Sequence, residues 1–358
     1  MIRTNLGKYI DKTRENNLEY INKDCKDEIC NMIENIKLSK DVEYAVGDII
    51  AFDMITIDRN EIIAVGVSNG IRGSKLNVQY NSNDVYKIEI PGIMHKLRFS
   101  KDGNYLVANT NINTVLLSTR NWELIEEDRN HHLTSYFSQD SKLMYSNASK
   151  SRKAYVNIKD ILNNRSIHDI PFENNDMLMT IEHMSMSYNN KYIAMCIRYD
   201  HNSEIRILSL DKWNQGSRNP WISIVDLGDV EEMTCIFNPK GSLLFMQGGQ
   251  ASMEVKLLNP FRNEITYMYQ DEDPNMDYMG PQFSQDCYYF AYLYYNLVDN
   301  NITIVMVDID GWNILDEISE KDQTITNYAI SIDSRYLMVS EGNKIKLFDT
   351  SLQLIKDM

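Results

Sequence analysis

The sequence predicts an all-β protein: a seven-bladed β-propeller of four-stranded blades, with a short N-terminal helical segment. Three observations carry this. The phrase "FSKDGNYLVA", Phe99 to Ala108, recurs along the chain. The copies are spaced 38 to 51 residues apart, close to the roughly 40–50 residues of one propeller blade. Between copies the chain reads as short apolar strands broken by turn residues, with no helical period after about residue 40.

The apolar residue before each turn serves as an anchor. The clear copies start at Phe99, Phe137 ("FSQDSKLMYS"), Phe237 ("FNPKGSLLFM") and Phe283 ("FSQDCYYFAY"); weaker ones start at Ile55, Met186 and Ile330. An apolar strand leads into each anchor. A tight turn rich in Asp, Asn and Gly follows, because these residues accept turn dihedrals at low cost. A second strand comes next, as in "NYLVAN". A third follows a polar hairpin ("TVLLS", "IRILSL", "TIVMVD"), and a fourth closes the unit ("WELIEE", "WNILDEI"). Strands apolar on both faces suit a blade held between two others, and closing the ring leaves only short, protected edges. The propeller is assigned to residues 42–358. Its last blade can be completed by "LQLIKD" near the C-terminus or by "VEYAV", Val42 to Val46, which would latch the ring.

Residues 1–41 differ. Leu6, Ile10, Leu18, Ile21, Cys25, Ile29, Met32 and Ile36 follow three-to-four spacing, which predicts an amphipathic helix or helix pair. It either caps the propeller rim or is offered to a partner or a second copy in assembly.

Blade rhythm and the "FSxDxxYL" phrase resemble the WD40 type of seven-bladed β-propeller. Only "KLFD", with Phe348 and Asp349, matches a WD ending, and no Gly-His marks the blade starts. The resemblance is therefore to a divergent member. The Asn-, Ile-, Lys- and Tyr-rich composition also resembles that of WD-repeat proteins of large DNA viruses.

Composition bounds the function. The net charge of −15 argues against direct nucleic-acid binding, which needs a basic footprint. No apolar run approaches the roughly 18 residues of a membrane span. The N-terminus lacks the apolar core of a secretory signal, and the five cysteines form no disulfide framework, which together point to a cytoplasmic protein.

"GVSNG", Gly66 to Gly70, matches a nucleophile elbow, but the residues after it read as a strand rather than the required helix. "VDIDGWNILDE" echoes a calcium loop without its first ligand and reads as a polar turn. His95, His131, His132 and His183 precede anchors and read as polar rim residues, so no metal or other cofactor is assigned. No catalytic constellation emerges.

What remains is a protein-protein interaction scaffold or adaptor. Two docking candidates stand out. One is an acidic face on the connections between blades: Glu126, Glu127 and Asp128; Glu231 and Glu232; Asp271, Glu272, Asp273 and Asp277. It would suit a partner with a basic segment. The other is the aromatic loop holding Trp213, Arg218 and Trp221. The alternatives are a propeller enzyme of the lactone-hydrolase type with a metal in the central funnel, and an RNA- or translation-associated propeller.

Overall fold

In a computed structural model the described residues are 38–43, 49–57, 60–68, 73–80, 83–129, 132–150, 153–171, 180–199, 202–217, 219–320, 325–341 and 344–349. They form antiparallel sheets arranged as a ring. β1 (Leu38–Glu43) stands apart in sequence from its sheet. The first complete sheet is β2 (Ile49–Ile57), β3 (Asn60–Ser68), β4 (Gly73–Tyr80) and β5 (Asn83–Pro91). The second is β6 (Met94–Phe99), β7 (Tyr105–Thr110), β8 (Thr114–Ser118) and β9 (Leu124–Asp128). The third is β10 (His132–Phe137), β11 (Leu143–Lys150), β12 (Lys153–Asp160) and β13 (Arg165–Pro171). The fourth is β14 (Thr180–Met186), β15 (Tyr192–Arg198), β16 (Ser203–Ser209) and β17 (Trp221–Gly228), with the one-turn helix α1 (Leu210–Asn214) before its last strand.

The fifth sheet has six strands: β18 (Glu232–Phe237), β19 (Leu243–Asn259), β20 (Glu264–Phe283), β21 (Tyr289–Asn296), β22 (Asn301–Asp308) and β23 (Ile314–Glu320). The sixth is β24 (Ile325–Ile330), β25 (Tyr336–Glu341) and β26 (Lys344–Asp349), with β1 added outside β26. Val42 of β1 lies opposite Ile345, so an N-terminal strand is the fourth strand of this sheet. The segment "LQLIKD" and the helix expected over residues 1–41 up to residue 37 lie outside the described residues.

Six sheets, not seven, correct the blade count. The reason lies in β19 and β20, of 17 and 20 residues, which run unbroken where the other repeats turn from strand to strand. β19 pairs with β18 through Leu243–Gly248 and with β20 from Gln250 onward. β20 in turn passes to β21 from Met276. Two repeats thus share one hydrogen-bonded sheet.

The repeated phrase has a physical cause. In "FSKD", the Ser100 hydroxyl donates to Asp102 Oδ1 (2.7 Å) and accepts the backbone N–H of Tyr105 (3.0 Å). The same pair recurs as Ser138–Asp140, Ser187–Asn189, Ser284–Asp286 and Ser331–Asp333. Each serine is buried, so its hydroxyl must be satisfied locally. The fourth residue past the anchor is left-handed in six turns: Gly103, Ser141, Asn190, Gly241, Cys287 and Ser334. Gly103 has a second reason to be glycine, since a Cβ there would lie 2.2 Å from Ile57 Cδ1.

The core sits between sheets. Ala64, Leu76 and Val78 of one sheet meet Leu97, Phe99 and Leu106 of the next, and Met54 and Val65 meet Met338 and Leu347 across the closure. Burying a side chain such as Phe99 contributes about 1.5–3 kcal/mol. Within the six-stranded sheet, Met246 and Met253 pack on Tyr278 and Phe290, so its two halves bury apolar faces against each other as separate sheets do elsewhere.

Candidate functional site

The innermost strand of each sheet faces the ring axis and has no partner on that side. Its N–H groups would be orphaned there. Side chains from the preceding repeat take them up. Asp53 Oδ2 accepts the N–H of Phe99 (2.7 Å), Tyr145 Oη that of Met186 (3.1 Å), Ser185 Oγ that of Phe237 (3.0 Å), and Asp333 Oδ2 that of Thr56 (3.0 Å). Three of these donors are anchors. The inner strands are therefore tied to one another around a central cavity of about 320 Å³.

Strand β6 brings two cations to that cavity. In "MHKLRF", Leu97 and Phe99 go to the core, so the alternation of a strand turns Lys96 and Arg98 to the axis. Lys96 Nζ donates to Tyr136 Oη (3.2 Å) and sits 4.7 Å from that ring's centre; the Arg98 guanidinium lies 4.9 Å from it. Arg98 Nε is buried with no hydrogen-bond partner. Burial, then the neighbouring Arg98 charge, pushes the Lys96 ammonium well below its usual range.

Asp53 is the nearby carboxylate, and both its oxygens are committed: Oδ1 accepts the N–H of Met54 (2.8 Å) and Oδ2 that of Phe99. Burial raises it to about 7, against the opposing pull of Arg98. His183 is held neutral by burial and by the charges of Lys96 and Arg98. Its Nδ1 faces the backbone N–H of Cys235 (3.5 Å), which leaves the proton on Nε2.

At the end of the cavity where the inner strands begin, the charge changes sign. Glu182, Glu231, Glu232 and Asp277 gather there, with Arg198 the cation among them. Arg198 Nε lies 2.8 Å from Glu182 Oε1, and its Nη1 donates to the carbonyl of Glu231 (2.6 Å). Burial raises Glu182 to about 7, with Arg198 opposing and Glu232 adding to the shift. Glu232 is raised in the same way, chiefly by burial, with Glu231 and Asp277 contributing after the opposing effect of Arg198.

The nine predicted acidic residues thus fall into three groups. Glu231, Glu232 and Asp277 share the mouth just described. Asp271, Glu272 and Asp273 lie on β20, where Asp271 accepts the hydroxyl of Tyr292 (2.6 Å). Glu126, Glu127 and Asp128 lie on β9 rather than in a loop. Glu126 pairs with the buried Lys159, and Glu127 accepts Asn113 Nδ2 (3.0 Å) and contacts Arg129 (3.1 Å).

In the aromatic loop, Trp213 sits on α1 and Trp221 opens β17; both are half-buried against one core cluster. The Arg206 guanidinium lies 5.5 Å from the Trp221 ring centre. Arg218 lies outside the described residues.

Ser68 of "GVSNG" ends β3 opposite Ser74 of β4, so strand follows strand and no nucleophile elbow forms. In "VDIDGWNILDE" the Asp308 carboxylate accepts the N–H of Gly311 (2.8 Å) and closes a polar turn. Among the described residues no three His, Cys, Asp or Glu side chains converge as metal ligands, and no helix there is long and apolar enough to cross a membrane.

Sequence reasoning missed Asp53, Lys96 and Arg98. Two bases at i and i+2, following His95 in a six-residue inner strand, were the available signal.

The comparisons with known proteins bear on the fold. No protein-family model and no curated protein matches the chain. Among solved structures, the β-propeller domain of Myceliophteria thermophila Cps50 (Swd1) is similar with a TM-score of 0.65 at 10% identity, covering 86% of this chain and 98% of that one. Kuenenia stuttgartiensis hydrazine synthase is similar with a TM-score of 0.64 at 9% identity, covering 87% and 98%. Likeness at such identities shows a β-propeller. It gives no support to a viral origin.

Proposed function

We propose that the protein is a non-enzymatic interaction scaffold whose acidic channel mouth docks a basic segment of a protein partner. The observation that carries this is the convergence of Glu182 of β14, Glu231 and Glu232 at the start of β18, and Asp277 of β20, with Arg198 set among them. Glu182 and Glu232, raised chiefly by burial, gain from a cationic partner that favours their charged forms. Complementary charge speeds encounter and excludes wrong partners, and it weakens with salt. The acids on β9 are less suited to docking, because Glu126 and Glu127 already have partners within the ring.

The test is the association rate with a partner isolated from the native source. Reversing Glu231, Glu232 and Asp277 to Lys is expected to slow association more than it speeds dissociation, and to flatten the salt dependence. Capture that survives the reversal and ignores salt removes the mouth as the docking site. The half-buried Trp213 and Trp221 then become the better candidate.

A finer reading of the ring belongs with this one: its six sheets hold seven repeats, two of them joined in the fifth sheet. The seven anchors, the handover of pairing within β19 and β20, and the face-to-face burial of Met253 on Tyr278 support it. An experimental map in which the strands around Gly249 and Pro274 stay flat through one continuous sheet would refute it.

A further inference from the structure

The channel's interior and its mouth carry opposite charge, and the interior is the less explained. Lys96 and Arg98 face one cavity, and the carboxylate beside them, Asp53, has both oxygens bound to backbone N–H groups. Lys96 Nζ donates to Tyr136 and has further N–H capacity. Arg98 Nε is buried and unbonded, although a guanidinium normally finds acceptors. His183 lines the same cavity, and its Nδ1 faces the Cys235 amide, which leaves Nε2–H as its donor. Apart from the contacts of Lys96 and Arg98 with Tyr136, Arg98 Nε is left with no acceptor.

A second, smaller cavity meets the first at Arg98, His183, Gln285 and Ile332. It is lined on the turn side by the exposed Lys101 together with Ser138 and Gln139. The cations Lys101, Arg98 and Lys96 therefore follow one another from the turn face into the axis. This approach avoids the acidic mouth at the other end.

We propose that the central channel is a binding site for a compact phosphoryl anion, free or at the tip of a small metabolite, held by Lys96 and Arg98 and reached from the turn face. A tetrahedral oxyanion offers enough acceptor oxygens for an ammonium, a guanidinium and an imidazole N–H at once; a carboxylate offers two oxygens. The guanidinium suits phosphate by its rigid fork, and the ammonium adds a point charge. The cavity volume lies at the lower end of ordinary small-molecule sites, about 300–1,000 Å³. Glu232 of the acidic mouth lines the same cavity, but the proposal rests on Lys96 and Arg98 and not on the docking reading of the mouth.

The test is titration calorimetry on the full chain with inorganic phosphate, pyrophosphate and citrate as probes. Pyrophosphate is expected to bind, phosphate more weakly, and citrate least. Lys96→Met and Arg98→Met should each weaken pyrophosphate at least tenfold, while Lys96→Arg retains most of the affinity. Glu264→Gln, exposed on β20 and outside the cavity lining, should leave it within about twofold. Circular dichroism and melting curves identify any variant that fails to fold, and Lys101→Met, on the exposed turn, supplies a second reading as slower pyrophosphate association. No heat with pyrophosphate at millimolar concentration overturns the proposal. So does binding that Lys96→Met and Arg98→Met, both folded, leave unchanged, which marks adventitious surface binding. Citrate binding tighter than pyrophosphate overturns the phosphoryl class.

Discussion

The carboxylate of Asp53 accepts the backbone N–H of Phe99 at 2.7 Å, across the boundary between the first two complete sheets. Phe99 is the anchor of the clearest repeat, and Asp53 sits two residues before the anchor of the repeat preceding it. One hydrogen bond thus joins two sheets through the positions that the repeat itself defines.

The first prediction is a pH dependence. Burial raises Asp53 from 3.8 to about 7 in the fold. Below pH 3.8 folded and unfolded chains both hold the proton; between there and about 7 only the folded chain does. Stability from this group is therefore complete at low pH and is lost as pH rises through about 7. Asp53→Asn cannot accept both N–H groups and should cost about 1–3 kcal/mol at pH 5. Denaturant melts across pH 5 to 8 should show that deficit shrinking as pH rises. A deficit that grows contradicts the assigned shift.

The second concerns the repeated turn. Ser100→Ala and Ser284→Ala each remove a buried hydroxyl that accepts an N–H and donates to an acid. Each should cost about 1–2 kcal/mol. The two turns are in different sheets, so the double variant should show the sum within about 0.5 kcal/mol. Equilibrium unfolding measures all three, and a loss confined to one site would deny the turns a common role.

The third concerns the latch. β1 covers the edge of β26, with Val42 opposite Ile345. Removing residues 1–47 uncovers that edge and deletes the ladder, and each lost ladder bond contributes about 0.5–1.5 kcal/mol net. The melting temperature should fall by several degrees, with more aggregation through the bared edge. An unchanged melting curve would dismiss the latch.

The fold was legible because its repeat is chemical. A serine two residues before an acid leaves the same trace at Ser100, Ser138, Ser284 and Ser331, and an asparagine replaces the acid at Asn189 without changing the bond. The sheet count was not legible. Whether β19 stops near Gly248 or runs on to Asn259 depends on backbone pairing, and "GGQAS" permits either. The acidic residues were legible as composition but not as a site. Glu126 and Glu232 look alike in sequence; one meets a buried lysine and the other the channel mouth, and partners distant in sequence decide which. The cations of β6 were not legible as a site, because only ring closure brings Lys96 and Arg98 to one cavity with residues distant in sequence.

The last prediction separates a structural acid from a docking one. Lys159 is 8% exposed at its side chain, and its partner is Glu126 of the preceding sheet. Burial pushes the Lys159 ammonium below its usual range, so the charge is held there at a cost. Removing one member of such a pair strands the other, and typical losses are about 3–5 kcal/mol; replacing both by apolar groups of similar volume is often neutral or better. Glu126 is partly exposed, so solvent screening places Glu126→Gln toward about 2 kcal/mol. Lys159→Met combined with Glu126→Leu should recover most of that loss. Chemical denaturation of the two variants gives the energies, and association with a native partner gives the role. Glu126→Gln should lower stability while leaving the association rate within about twofold, whereas reversal at Glu231 and Glu232 should do the opposite. A Glu126→Gln variant that melts like the parent but loses its partner would return β9 to the docking surface.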